Sequence, residues 1–351
     1  MASQFQAVDH SSAWRSSTRA PSTFTFELQS RHLAAFDAAI ESVNAQREPL
    51  ESLSREFFPF ADIADDLAHW INQVMHEEGL IILSGFPVDR YSKDDMAILH
   101  WGIGTHFGTA MSQSVMGDKL GHVINVGGKD PKERAYRNSM ELGMHTDSCD
   151  VVAMMCLQKA MQGGVSGYVS AITIYNEILN RRPDLMPILM EGFYYHRFGE
   201  EAPGESPVTE EKLPIFSFKD GYLSVNFLRA YIELAAEELN TPLTEDELAA
   251  LDLVDEIAHD DAFALKFVTQ PGQAVFFNNL TVLHNRTGFE DSDIPEEKRH
   301  FLRLWLVAHD PRPVSDAWRI YEGRGIEKQE GRTTGFDRAD ELNYSEFGHK
   351  T

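Results

Sequence analysis

The chain has 351 residues, 42% hydrophobic and 25% charged, an ordinary globular composition that provides a large core and argues against wholesale disorder. Its formal net charge of −24 argues against a nucleic acid or an anionic membrane as partner, since both are gripped through basic surface. Two cysteines, Cys149 and Cys156, are too few for a disulfide framework and fit a reduced, cytoplasmic setting. No apolar run reaches the ~18 residues of a membrane span.

Residues 1–30 are rich in Ser, Thr and Gln and lack an apolar signal core, so a loose, partly ordered arm is expected over residues 1–50. Residues 50–78 read as helical: Ile63, Leu67, Trp70, Ile71 and Val74 recur at helical spacing and stop at Gly79. Gly79 to Phe86 reads as a short buried strand, Tyr91 to Phe107 as a helix, and His122 to Val126 as a strand. The polar stretch from Gly127 to Arg137 has the composition of a mobile loop and a position suited to a lid.

Val151 to Leu157 reads as a buried strand. Ser170 caps a helix to about Asn180, which Pro183 closes. Strands are expected at Phe193 to Arg197, Ile215 to Phe218 and Tyr222 to Asn226, the last two joined by an Asp220-Gly221 turn. Helices follow at 229–239 and 245–258, the second opened by Thr244 and Glu247 as a capping box. The end of the core is strand-rich: Ala264 to Val268, Gln273 to Asn278 after a Pro271-Gly272 turn, and His300 to Ala308. Many short strands with Gly and Pro turns predict a mainly β fold with helical decoration, a jelly-roll or barrel core. One domain is expected over residues 51–320, with 321–351 as a C-terminal extension.

Three triplets pair a histidine with an acid two residues on. His76-Glu77-Glu78 and His259-Asp260-Asp261 lie at helix ends and read as solvated. His145-Thr146-Asp147 precedes the apolar run from Val151, so its donors stand at the mouth of a buried strand, which can hold them rigidly. With His284 they make two imidazoles and one carboxylate, the facial set that binds ferrous iron and leaves positions open for substrate and O2. Zinc accepts the same donors, so a zinc-dependent hydrolase or a metal-binding protein without turnover is the alternative.

Arg299 and Arg303, four apart on a predicted strand, share a face. An arginine facing a core needs an anion, and its planar fork suits a carboxylate. Arg286, two residues after His284, is a third candidate for anion binding. Glu141 is a candidate partner for a substrate amine, and Met140, Met144 and Phe289 are candidates for an apolar wall.

In order, His145-Thr146-Asp147, Gly163-Gly164-Val165-Ser166, Pro271-Gly272, His284 and Arg299-His300-Phe301-Leu302-Arg303 resemble the taurine dioxygenase family, from about Gly79 to Pro313. The resemblance implies a double-stranded β-helix and dependence on Fe(II), 2-oxoglutarate and O2. It implies His145, Asp147 and His284 as catalytic iron ligands, Ser166 against the 2-oxoglutarate tail, and Arg299 as the clamp on its distal carboxylate. Arg303 matches the residue that grips an anionic group of the substrate, and the two arginines can exchange roles. The reaction implied is oxidation of an unactivated C–H bond of a small anionic substrate, an amino acid among the candidates. Hydroxylation, desaturation and oxidative cyclisation all share its first steps and release succinate and CO2. The carboxylate of Asp147 argues against halogenation, which needs that position free for chloride.

Overall fold

In the computed structural model, which describes residues 5–46, 48–125, 139–315, 320–321 and 325–330, two β-sheets face each other and helices cover the outer side of each. The chain opens with β1 (Thr25–Glu27), α1 (Ser30–Asn44), α2 (Ala64–His76), β2 (Leu80–Ser84), α3 (Lys93–Phe107), β3 (Gly108–Ala110) and β4 (Leu120–Ile124). Then come β5 (Leu142–His145), β6 (Val151–Gln158), β7 (Gln162–Gly163), β8 (Ser166–Ser170), α4 (Ala171–Arg181) and α5 (Met186–Glu191). The hairpin β9 (Phe216–Lys219) and β10 (Tyr222–Val225) leads into α6 (Arg229–Glu238) and α7 (Glu245–His259). The last strands are β11 (Leu265–Phe267), β12 (Gln273–Asn278), β13 (Val282–Arg286), β14 (Phe289–Glu290) and β15 (His300–Ala308).

The larger sheet runs β1-β2-β12-β6-β15-β3, with β4 also paired to β15; the smaller runs β11-β8-β13-β5. Alternation along the strands makes this a two-faced wall. On β6, Val151, Ala153, Met155 and Leu157 face α1–α3, while Val152 faces the smaller sheet. On β15, Leu302, Leu304 and Leu306 face the helices, so Phe301, Arg303 and Trp305 point into the space between the sheets. The smaller sheet repeats the rule: Val169 and Leu283 pack toward α4–α7, while Tyr168 and Val282 turn inward. Two sheets with Trp305, Tyr168 and Phe277 between them form the predicted jelly-roll core.

Several expectations change. Helix α2 begins at Ala64, and the residues before it form only short 3-10 turns at Leu50–Ser52, Arg55–Phe57 and Ala61–Ile63. Pro49 and Pro59 interrupt the ladder there, and Phe58 and Phe60 bury themselves instead. Phe193 to Arg197 forms isolated bridges, Phe193 to Leu213 and His196 to Val208, instead of a strand. The first thirty residues, expected as a loose arm, contribute buried Trp14 and Phe24 to the inter-sheet core, and the Trp14 indole donates to Glu78 O (2.8 Å). The stretch from Gly127 to Arg137 lies outside the described residues. No helix among the described residues is long and apolar enough to cross a membrane.

His100 on α3 is fully buried against Phe276, and that burial pushes its pKa down to about 3. The unfolded chain takes up a proton below about 6.5 that the folded chain refuses, so His100 costs stability as pH falls from about 6.5 toward 3. Replacing His100 with methionine is expected to reduce the loss of unfolding free energy between about pH 7.5 and 4.5 by about 3 kcal/mol. Parallel acid destabilisation of the two proteins in urea titrations would contradict this.

Candidate metal centre

Two donors sit on neighbouring strands of the smaller sheet, and Asp147 follows two residues beyond the end of β5. β13 pairs antiparallel with β5 so that His284 stands opposite His145, and their ring centroids are 4.1 Å apart. Thr146 turns the other way: its N–H donates to Phe227 O (2.8 Å) and its hydroxyl accepts from Phe227 N–H (2.9 Å). That clamp leaves His145 and Asp147 on one side of the chain. The Asp147 backbone is fixed by Asn279, which accepts from its N–H (2.8 Å) and donates to its carbonyl (2.6 Å).

One nitrogen from each imidazole and one Asp147 oxygen all lie within 4.8 Å of one another. His145 Nε2 is 3.8 Å from Asp147 Oδ1, and His284 Nε2 is 3.7 Å from Oδ2. His145 Nδ1 donates to Gly143 O (2.9 Å), so Nε2 is the nitrogen that carries the lone pair and faces the acid. Burial, then the neighbouring His145, lowers the His284 pKa to about 3, so the ring is neutral at physiological pH. Neutral imidazoles and an ionised carboxylate are the protonation states a divalent ion requires, and the donor set fits one. Oδ2 of Asp147 also accepts from the Trp305 indole (2.8 Å) and lies 3.6 Å from Arg303 Nη1.

Beside this centre lies a cationic cradle. Arg299, 3% exposed, lies over Phe301 at 4.1 Å and Phe289 at 5.1 Å, and its Nη1 has no hydrogen-bond partner among the described residues. Burial, then repulsion from Arg286, pushes its pKa down to about 9. Ser166 Oγ is 3.5 Å from Thr269 Oγ1, and buried Tyr168 follows two residues on along β8. The Gly163-Gly164 turn borders the cradle. Gly163 has φ +75°, and a Cβ there would fall 2.3 Å from Gly288 O. One on Gly164 would stand 3.6 Å from Arg299 Nε.

The other candidates divide. Arg303 is buried and faces Asp147. Arg286 is buried, stacks on the other candidate wall residue Phe289 at 4.7 Å, and donates to Met140 O. Glu141 and Met140 are exposed. Met144 is a correction: one residue before His145 it takes the opposite face of β5, and it packs into the core under α4–α7, away from the donors. The other two triplets stay apart from the centre, His76 near Asp310 (3.8 Å) and His259 on the Asp255 carbonyl (2.8 Å). Trp305, Asn279, Gln113, Thr269 and Tyr168 escaped the sequence reading. Only Trp305 carried a signal, its even spacing from Arg303.

Comparison with known proteins gives the family and the fold. The family model for "Taurine catabolism dioxygenase TauD, TfdA family" matches residues 46–305. The chain is 29% identical over 308 residues to FR-33289 synthase of Streptomyces rubellomurinus (strain ATCC 31215), covering 86% of this chain and 90% of that protein. Its fold is similar to an asparagine oxygenase solved with Fe(II), 3-hydroxyasparagine and succinate (TM-score 0.65, 17% identity, 87% of this chain and 100% of that one). It is also similar to the non-heme iron oxygenase OrfP solved with Fe and alpha-ketoglutaric acid (TM-score 0.60, 14% identity, 87% and 100%). Five motifs in order, two facing sheets and a converging His-Asp-His set thus meet in one assignment: the chain belongs to the TauD/TfdA family of dioxygenases.

Proposed function

We propose that His145, Asp147 and His284 hold the Fe(II) on which this dioxygenase depends, that Arg299 and Ser166 take the distal carboxylate of 2-oxoglutarate, and that the substrate is a small, amino-acid-like anion. The observation that carries the reading is the convergence of the three donors within 4.8 Å beside a buried guanidinium. Iron bound with 2-oxoglutarate supplies the oxidising power: one atom of O2 enters succinate, CO2 leaves, and a substrate C–H bond is oxidised.

The remaining work falls to the protein. Arg299, desolvated between two aromatic rings, offers the distal carboxylate a charge-assisted partner, and Ser166 and Thr269 supply hydroxyl donors. Asn279 fixes the Asp147 backbone, and the Trp305 indole keeps the carboxylate from rotating. Arg303, against Asp147, places a substrate anion next to the metal, so the oxidised carbon lies a few bonds from that anion. Arg286 is a second contact for an anionic group. The neighbours solved with 3-hydroxyasparagine and (3S)-hydroxy-L-Arg support an amino acid as the substrate. Two buried free thiols, Cys149 and Cys156, support a reducing, cytoplasmic setting. Residues 51–320 are proposed as one catalytic domain, which Trp14 and Phe24 of the preceding arm help to fill.

Anaerobic addition of Fe(II) and 2-oxoglutarate to the metal-free protein is expected to produce a weak visible charge-transfer band, and amino acids then screened in air are expected to stimulate succinate release. A protein that binds Zn(II) but gives no band with iron and 2-oxoglutarate belongs to the zinc alternative.

A further inference from the structure

Gln113 lies on the segment between β3 and β4, outside every motif above, and is 1% exposed. Its Oε1 accepts from Arg303 Nε (2.6 Å), and its Nε2 donates to Arg303 O (2.9 Å) and Lys119 O (2.8 Å). The amide fits one way round, because the reverse would set its oxygen against two carbonyls and its NH2 against a guanidinium. Gly121 keeps the space open, since a Cβ there would fall 2.9 Å from Gln113 Oε1. One side chain therefore grips both the guanidinium and the backbone of Arg303. With Nε fixed and the guanidinium lying over Trp305 at 4.9 Å, Nη1 stays 3.6 Å from Asp147 Oδ2.

We infer that Gln113 is a positioning residue for the metal centre: by locking the Arg303 guanidinium it holds that charge against Asp147 and fixes the donor edge shown to a substrate anion. It acts through Arg303 and touches none of the three donors by any hydrogen bond described above. An untethered arginine side chain samples many rotamers, and each departure from Asp147 would take a positive charge away from a buried carboxylate that also accepts from the Trp305 indole. The lock also has a consequence for selectivity. A guanidinium that cannot swing does not follow substrates of different lengths, so the distance from anion to oxidised carbon is set by the protein. This rests on the proposed iron site.

The test is a double-mutant cycle on Gln113→Leu and Arg303→Lys, with Gln113→Glu as the conservative variant that keeps the acceptor for Arg303 Nε. Co(II) and Fe(II) affinities are titrated anaerobically in each full-length protein, and the band with 2-oxoglutarate is recorded. Gln113→Leu is expected to weaken Co(II) and Fe(II) binding about tenfold and to shift the band, with 2-oxoglutarate affinity at saturating iron changed less than about twofold. Gln113→Glu keeps the acceptor for Arg303 Nε but sets an oxygen against Arg303 O and Lys119 O, so it should recover only part of the loss, and the double variant should be no worse than Arg303→Lys alone. Wild-type metal affinity and band position in Gln113→Leu overturn the proposal. So do additive losses in the double variant, or a lowered melting temperature with unchanged metal affinity. If Gln113→Leu does not fold, the cycle run with Gln113→Glu decides by the same additivity criterion. A wild type that binds Co(II) but gives no band with iron and 2-oxoglutarate sinks the oxygenase reading alone, because the Co(II) cycle still measures the coupling.

Discussion

Alanine at position 147 is expected to abolish iron binding and turnover together, with Fe(II) affinity falling at least about a hundredfold, beyond the range seen when groups behind a ligand are removed. Asp147 is the one anion among the three donors, and its side chain is buried. Removing it leaves Arg303, 5% exposed, facing two imidazoles without its acid, and that residual charge repels a divalent ion. Loss of one partner from a buried pair should also lower the stability of the metal-free protein by about 3 kcal/mol. Anaerobic titration and chemical denaturation read the two effects separately. Retained iron affinity would remove Asp147 from the ligand set.

Arg299→Met is expected to separate cosubstrate from metal. The variant should bind Fe(II) as the wild type does and lose about a hundredfold in 2-oxoglutarate affinity, about 3 kcal/mol, as expected when a buried charge loses its partner. The same change should leave the cosubstrate-free protein as stable as the wild type, or more stable, because it replaces a desolvated guanidinium lying between Phe289 and Phe301 with an apolar chain of similar length. Burial and Arg286 already hold the Arg299 pKa down at about 9, so 2-oxoglutarate binding should weaken as pH rises through about 9, where the cation is lost. Equal 2-oxoglutarate affinity in variant and wild type would move the clamp to Arg303 or Arg286.

In the larger sheet β2, β4, β6, β12 and β15 were legible because their residues alternate between two apolar surroundings, as on β6 and β15, whereas β1 and β3, three residues each, were not. β5, β8 and β13 of the smaller sheet were not either, since they are four or five residues long and carry Ser, His and Arg on the faces that form the site. Polar residues at inward positions erase the period that marks a strand, so the site hides the elements that build it. Met144 illustrates the same limit. Proximity to His145 in sequence suggested a place in the pocket, and strand alternation put it on the other side.

The order and type of the chemical groups were fixed by the amino-acid sequence alone: two histidines and an aspartate in facial-triad company, a Gly-Gly turn, and two arginines four apart. Which of those groups meet was decided by the closing of the two sheets. That closure set His284 opposite His145, turned Arg303 onto Asp147, left Arg299 among aromatic rings, and brought Gln113 from a motif-free segment to hold Arg303. Local periodicity is written in neighbouring residues, whereas side-chain partners depend on strand register between segments far apart in the chain, and register is a property of the packed sheets.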